Sequence, residues 1–539
     1  MVGGGASVRF WISPVSMFST VVLSCLIFRL GAVGAQTLYT SSRWIVDGGG
    51  DRVKLACINW PSHLQPMLAE GLHRQPADAI AAKVRSMGFN CVRFTWALYM
   101  ATNDTLGALT VRQSFRNLGL DDYIAGIQSN NPSIVDVPVL EAFKIVLASL
   151  RRNGVMVILD NHISTPGWCC SRGDGNGFFG DKYFDPDLWL RGLHRMATLA
   201  IAFDNVVGMS LRNELRGPRE NVEDWYKYME RGAETVHAAN HKVLVILSGL
   251  GFDMDLLFLR DRPVRVSFSR KLVFELHWYS FSDSRDAWVD ENLNQVCGRI
   301  SRQKTRMSGY VLDNGFPLFL SEFGIDERGT NENDNRFLTC FLGWAAENDL
   351  DFALWSLQGS YYFRQGVRDM EEFFGVLDRS WTGIRNSTFL QRVSAIQSPF
   401  RGPGLQDTNL PVIIFHPLTG QCVVRMTSRS QSLKLGPCMQ PQAWIYTPRK
   451  KLLLLGTREY LLSGGLGRPV TVGQGNTSSW ATISDSGMHI ATEVGRAIGC
   501  LDVDREMNVV VSGCKCLSGD RACDPSSQWF RLVDSSRCG

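Results

Sequence analysis

Val206-Val207-Gly208-Met209-Ser210-Leu211-Arg212-Asn213-Glu214-Leu215-Arg216-Gly217-Pro218 is an apolar run that ends in an amide and a carboxylate. A strand that delivers a carboxylate from its carboxyl edge is the unit from which barrel enzymes assemble their chemistry. The same ending recurs at Pro317-Leu318-Phe319-Leu320-Ser321-Glu322-Phe323-Gly324. From Arg52 onward short β-rich runs alternate with amphipathic helical stretches, the pattern of a parallel sheet wound with helices. Strands are expected at residues 53–60, 90–96, 155–161, 206–214, 243–247, 272–279, 318–322 and 352–356. Eight such strands suit an α/β chain folded as a (β/α)8 TIM barrel, which takes ~250 residues and with insertions more than ~400. A doubly wound open sheet is the main competitor. An open sheet places its chemistry in one crevice, whereas a closed barrel gathers it from many strand ends. Here Arg93 lies on the second strand, Asp160-Asn161-His162 end the third, Asn213-Glu214 the fourth, His277-Trp278-Tyr279 the sixth, Glu322 the seventh and Trp355 the eighth. That distribution favours the barrel.

The alternation stops near Ser398, where Pro399-Phe400-Arg401-Gly402-Pro403-Gly404 reads as a linker. The remainder lacks helical periodicity and is rich in short apolar runs, glycine and cysteine, so an all-β domain is expected. It is internally repeated. Cys438 precedes Trp444 by the interval at which Cys523 precedes Trp529, and a weaker copy lies at Ser478-Ser479-Trp480. Three tryptophan-marked units suggest threefold pseudosymmetry. The expected organisation is a leader over residues 1–35, a barrel over 36–398, a linker over 399–410 and an all-β domain of threefold pseudosymmetry over 411–539.

A chain of 539 residues exceeds what one core usually serves. Charged residues make up 20% and hydrophobic ones 45%, an ordinary globular balance. A net charge of +4 without a basic block argues against nucleic acid as a partner. Arg9 precedes an apolar stretch from Met17 to Phe28, and Val33-Gly34-Ala35 resembles a cleavage site, so a secreted chain beginning near Gln36 is expected, with an uncleaved anchor as the alternative. No membrane contact is expected after its removal, and the mature chain is expected to be a monomer. Fourteen cysteines agree with an oxidising compartment, as do glycosylation patterns at Asn103, Asn386 and Asn476. Losing Cys25 with the leader leaves an odd number, so one thiol is expected to lack a partner within the chain.

Two strand-end glutamates are what hydrolysis of a glycosidic bond requires: one carboxyl protonates the leaving oxygen and the other attacks the anomeric carbon. Glu214, beside Asn213, suits the acid. Glu322 suits the nucleophile, with Arg93 and Tyr279 available to keep it ionised. Either glutamate alone is an ordinary strand-end charge; the constellation with His162, His277 and Trp355 carries the signal. Trp168 and Cys169-Cys170 sit in a glycine-rich loop where a stabilising disulfide is the expected role. His194 and His237 read as surface or packed residues. No phosphate loop and no His-Glu-x-x-His helix is present.

This order of motifs resembles glycoside hydrolase family 5, cellulase-like retaining enzymes on (β/α)8 barrels. The resemblance covers roughly residues 40 to 398. It implies that Arg93, His162, Asn213, His277, Tyr279 and Trp355 bind substrate and that Glu214 and Glu322 are catalytic, with no metal or organic cofactor. Leu215 departs from it, since proline is usual there, and this weakens the substrate assignment. The tail resembles a ricin B-type β-trefoil lectin domain, with Gln442-Ala443-Trp444 as a complete QxW motif and Asp502 at the sugar-binding position two residues after Cys500; Cys422-Val423-Val424 lacks that aspartate. The first unit's disulfide is expected between Cys422 and Cys438, while Cys500 could pair with Cys516 by equal separation or with Cys523 by equal distance to its tryptophan, with Cys523 favoured. The expected function is a secreted retaining endo-hydrolase of a β-1,4-linked cell-wall glucan or mannan, tethered by a module that binds glycan. A catalytically silent carbohydrate-binding protein and a transglycosylase are the alternatives.

Overall fold

The computed structural model describes residue 1 and residues 37–537 except 285, 405–409, 428–429 and 476. The expected leader, the Asn476 pattern, part of the linker, Cys25 and Cys538 lie outside the described residues. Eight parallel strands close a barrel in chain order: β1 (Ala56–Trp60), β2 (Cys91–Ala97), β3 (Met156–Ile163), β4 (Val206–Ser210), β5 (Leu244–Leu247), β6 (Leu272–His277), β7 (Leu318–Phe323) and β8 (Asp351–Leu354). β8 returns to pair with β1 through Phe352↔Ala56 and Leu354↔Ile58. The strands lie where the sequence places them, except that three end early: β6 stops at His277, before Tyr279, β8 stops at Leu354, before Trp355, and β4 falls shortest. β4 ends at Ser210, so Asn213 and Glu214 leave the ladder in a loop and are not strand residues. Asn213 N–H still reaches the β3 edge, donating to the Asn161 carbonyl at 3.0 Å.

Side chains alternate across each strand, and the alternation builds the barrel in layers. Cys57, Cys91, Met156, Ile158, Leu244, Ile246, Val273 and Phe319 belong to the apolar interior, where Cys57 and Cys91 crosslink β1 to β2. The positions between them, such as Phe94, Leu159 and Leu320, pack under the surrounding helices. One layer toward the carboxyl ends the interior turns polar, with Asn59, Arg93, Asp160, Ser210 and Glu275 all fully buried. The site stands on that layer.

The C-terminal region is all antiparallel β. Its strands form three successive units, over residues 412–446, 452–483 and 489–534, and the last strand pairs with the first through Val412↔Asp534 and Phe415↔Arg531. Trp444, Trp480 and Trp529 stand at or just before the last strand of each unit, and all three are fully buried. The Cys422–Cys438 disulfide is present. The third unit corrects the expectation: Cys500 pairs with Cys514, and Cys516 with Cys523. Residues 500 and 514 face across one hairpin, where Cys500 lies opposite Ser512 and Gly499 opposite Gly513. Equal spacing along the chain therefore did not predict the partner.

The expected linker is anchored rather than free. Phe400 is fully buried, Arg401 pairs with Asp534 at 3.0 Å, and Arg537 donates to the Ser398 and Pro399 carbonyls. No helix among the described residues is long and apolar enough to cross a membrane.

Candidate active site

Arg93 is the centre around which the site is built. Its guanidinium, fully buried on β2, donates to Asn59 Oδ1 at 3.0 Å, Glu322 Oε1 at 2.8 Å and Asn213 Oδ1 at 2.9 Å. It also pairs with Asp160 at 3.1 Å and lies 3.8 Å from Glu275. Burial opposes its charge, but Asp160, Glu275 and Glu322 outweigh that and raise its pKa, so it stays a cation. Five donors in a rigid fork let one residue fix an amide and a carboxylate from two strands together.

Glu322, on β7, receives Arg93 on one oxygen and the Tyr279 hydroxyl on the other at 3.0 Å. Glu214 receives His277 Nδ1 at 3.0 Å, and His277 Nδ1 is also 3.7 Å from Glu322. Oxygens of both carboxyls and a His277 nitrogen lie within 4.8 Å of one another. Burial pushes Glu214 up to about 7, against the pull of Arg216 and Arg93. Burial likewise pushes Glu322 up to about 7, against His277 and Arg93. Two carboxyls this close do not ionise together. Glu322 holds the two stabilising donors, so the negative charge belongs on Glu322 and the proton on Glu214. Burial lowers the His277 pKa, so it is a neutral donor in this arrangement.

Glu214 is held from behind. Its backbone adopts φ +44°, a left-handed conformation that costs a non-glycine residue about 1–2 kcal/mol. Two contacts oppose that cost: Asp253 Oδ2 accepts Glu214 N–H at 2.9 Å, and Arg216 donates to the Glu214 carbonyl at 2.7 Å. His277 Nε2 stands 3.5 Å from the same Asp253 carboxylate.

Aromatic rings line the other side. Trp355, just past β8, stacks on His162 with centroids 5.5 Å apart, and Trp168 meets Trp355 edge-on at 6.5 Å. His162 is oriented by Asp160 at 2.6 Å through Nδ1. Trp278, between His277 and Tyr279, points outward into helix packing with Phe337, Phe341 and Trp344, as strand alternation requires. His194 and His237 are absent from the site; His237 stacks on Phe268.

The structure thus brings Arg93, His162, Asn213, Glu214, His277, Tyr279, Glu322 and Trp355 to one end of the barrel. It places Asp502 in the C-terminal region, nearly buried, accepting from Gln528 at 3.1 Å and paired with Lys515 at 3.1 Å. Burial raises the Asp502 pKa, and hydrogen bonds from Gln528 and Ser527 outweigh it, so the group stays ionised. Sequence reasoning missed Asn59, His63, Asp253 and Arg216. Asn59 carried a signal, since it ends the first strand in the register of Arg93. His63, tilted against His162 with ring centroids 4.0 Å apart, and Asp253 lie in loops without a motif. Among the described residues two groups of ligating atoms come close enough for a cation, Cys169/Cys170/Glu214 and Glu214/His277/Glu322. The first is consumed by a disulfide, and in the second Arg93 already offsets the charge of Glu322 while Tyr279 donates to its other oxygen.

Comparison with known proteins agrees with this geometry. The cellulase (glycosyl hydrolase family 5) family matches residues 56–360. A "Glycosyl hydrolase 5 family protein" of Chamaecyparis obtusa is 42% identical over 542 residues, covering 96% of each chain. Among solved structures, the hyperthermophilic endocellulase of Pyrococcus horikoshii superposes with a TM-score of 0.53 at 18% identity, over 67% of this chain and 99% of that one. The catalytic domain of the major endoglucanase of Xanthomonas campestris pv. campestris gives 0.54 at 19%, over 67% and 98%. Those two share the barrel fold. With a family match spanning all eight barrel strands and a near full-length relative, this chain belongs to glycosyl hydrolase family 5, and it is a glycoside hydrolase.

Proposed function

We propose that the chain is a retaining endo-β-glucanase acting on a β-1,4-linked glucan, with Glu322 as nucleophile and Glu214 as acid/base. One observation carries the retaining reading. The two carboxyls bring oxygens within 4.8 Å, which suits direct attack with the ~5–5.5 Å carboxyl spacing of retaining enzymes and leaves no room for the water that an inverting site holds between carboxyls ~6.5–9.5 Å apart. Glu322 attacks the anomeric carbon while Glu214 gives its proton to the leaving oxygen; Glu214, now a base, then takes a proton from the water that releases the sugar. The glucan assignment draws support from the cellulase family match and from solved endocellulase relatives, one in complex with cellotetraose. Trp355, supported by His162, offers a flat apolar face to a pyranose ring. The test is covalent trapping with 2-fluoro-cellobioside and 2-fluoro-mannoside inactivators. A peptide adduct on Glu322 with the cellobioside is expected. An adduct on another residue would sink the nucleophile assignment, and a mannoside-only adduct the glucan.

The C-terminal trefoil is read as a ricin B-like lectin that tethers the enzyme to polysaccharide, raising its effective concentration there. The ionised Asp502, held by Gln528, supports this. Asp502→Ala is expected to weaken retention on immobilised glycan at least ~10-fold; retention equal to the parent removes that site. Six disulfides among the described residues support a secreted, extracellular enzyme.

A further inference from the structure

Cys169 and Cys170, neighbours in the chain, form a disulfide in the loop after β3. Such a pair encloses no length of chain, so it contributes almost none of the loop-closure entropy by which long-range crosslinks stabilise a fold. Its surroundings point to the site instead. Cys169 packs against Ala97 and Ile163 at the ends of β2 and β3, while Cys170 is half-buried. Asn213 Nδ2 lies 3.7 Å from Cys169 Sγ and 3.5 Å from Cys170 Sγ, within donor range of sulfur. Both sulfurs and a Glu214 carboxylate oxygen lie within 4.8 Å of one another.

The Asn213 amide has one acceptor and two N–H donors. Arg93 occupies the acceptor, and the sulfurs receive one N–H. A single N–H remains for substrate. With only Arg93 holding it, the amide would rotate about its broad terminal torsion; the sulfurs on the opposite side remove that freedom. The loop bearing them is itself tied to the acid/base residue. Arg216, whose side chain is fully buried, donates to the Ser171 carbonyl at 3.0 Å, to Asp174 at 2.6 Å and to the Glu214 carbonyl at 2.7 Å.

We infer that the Cys169–Cys170 disulfide is a positioning and specificity element: it aims the Asn213 amide at the 2-hydroxyl of the sugar whose bond is cleaved, and so selects substrates that carry this hydroxyl. The inference rests on reading Glu214 and Glu322 as the retaining pair. A contact to that hydroxyl strengthens as positive charge develops on the ring, so its loss is felt in kcat/KM.

The test compares dinitrophenyl β-cellobioside with its analogue lacking the 2-hydroxyl on the ring next to the leaving group. The parent enzyme is expected to prefer the hydroxylated substrate by ~10²-fold or more. In C169A/C170A that preference should fall at least ~10-fold while kcat/KM on the deoxy analogue stays within ~3-fold, because only the aimed contact is lost. C169S/C170S, which restores hydroxyl acceptors, should retain more of the preference than the alanine pair. An alanine pair with unchanged preference overturns the inference, as does equal loss on both substrates, the mark of a merely structural loop. Should the alanine pair fail to fold, phosphine reduction of the folded parent should lower the preference and reoxidation restore it, with C169S/C170S unresponsive; a reduced parent with unchanged preference overturns the inference. An active parent with no 2-hydroxyl preference overturns it alone, leaving the paired carboxyls standing. A parent that cleaves neither substrate overturns the carboxylate reading and this inference with it.

Discussion

Glu214 and Glu322 differ in what touches them more than in how deeply they are buried. Arg93 and Tyr279 both donate to Glu322, whereas Glu214 receives only His277 on its carboxyl. On the proposed roles, hydrolysis needs Glu322 ionised and Glu214 protonated, so activity is expected to be bell-shaped in pH. The acid limb is protonation of Glu322. The alkaline limb is ionisation of Glu214, raised by burial to about 7, so the rate falls as pH rises through that value. Glu214→Gln is expected to lower kcat on glucan ~10²–10⁴-fold and to erase the alkaline limb on an aryl cellobioside with an activated leaving group. A pH profile that keeps this limb would assign it to another residue.

At the scale of elements, the exits of the strands share the positioning with the strands themselves. β7 carries Glu322 in the ladder, and Gly324 follows at once because the chain from β8 passes against it. A Cβ at Gly324 would stand 2.3 Å from the Trp355 carbonyl oxygen and 3.1 Å from the Phe374 ring. Gly324→Ala therefore pushes the β7 exit and Trp355 apart. The expected cost is ~1–3 kcal/mol of stability, with KM rising more than kcat falls because the Trp355 ring moves before Glu322 does. Thermal melts and steady-state kinetics check this; unchanged values in both would show that the two exits separate freely. The β4 exit is the counterpart, where four residues beyond Ser210 must bring Glu214 back over the barrel, held by Asp253 and Arg216.

At the scale of the whole molecule, the C-terminal β region is fastened to the barrel rather than carried on a tether. Trp529 Nε1 donates to Asn294 Oδ1 at 2.9 Å, and Asn292 donates to the Ser518 and Asp520 carbonyls. Met488, fully buried, packs in the barrel's own core cluster, and Arg537 reaches back to the Ser398 carbonyl. The two parts should therefore unfold together. Calorimetry is expected to give one transition, and truncation after Ser398 to lower the melting temperature by roughly 5 °C or more. A separate, earlier transition from the C-terminal region would show that the interface contributes little.

Much of this architecture was legible before any coordinates. Short β-rich runs located all eight barrel strands within a few residues and marked Arg93, His277, Tyr279 and Glu322 at or near their carboxyl ends, although Trp278, grouped there with its neighbours, turns outward. These are local properties, set by neighbours two residues away. Other features were decided only by tertiary structure. Asp253 and His63 act on Glu214 and His162 from loops whose sequence has no period, and closure of the barrel alone brings them there. Cys500 chose Cys514 because hairpin register, not spacing, sets the distance between sulfurs. The division of charge between the two glutamates was decided the same way: the sequence supplied Arg93 and Tyr279, but only the closed barrel turns both donors onto Glu322.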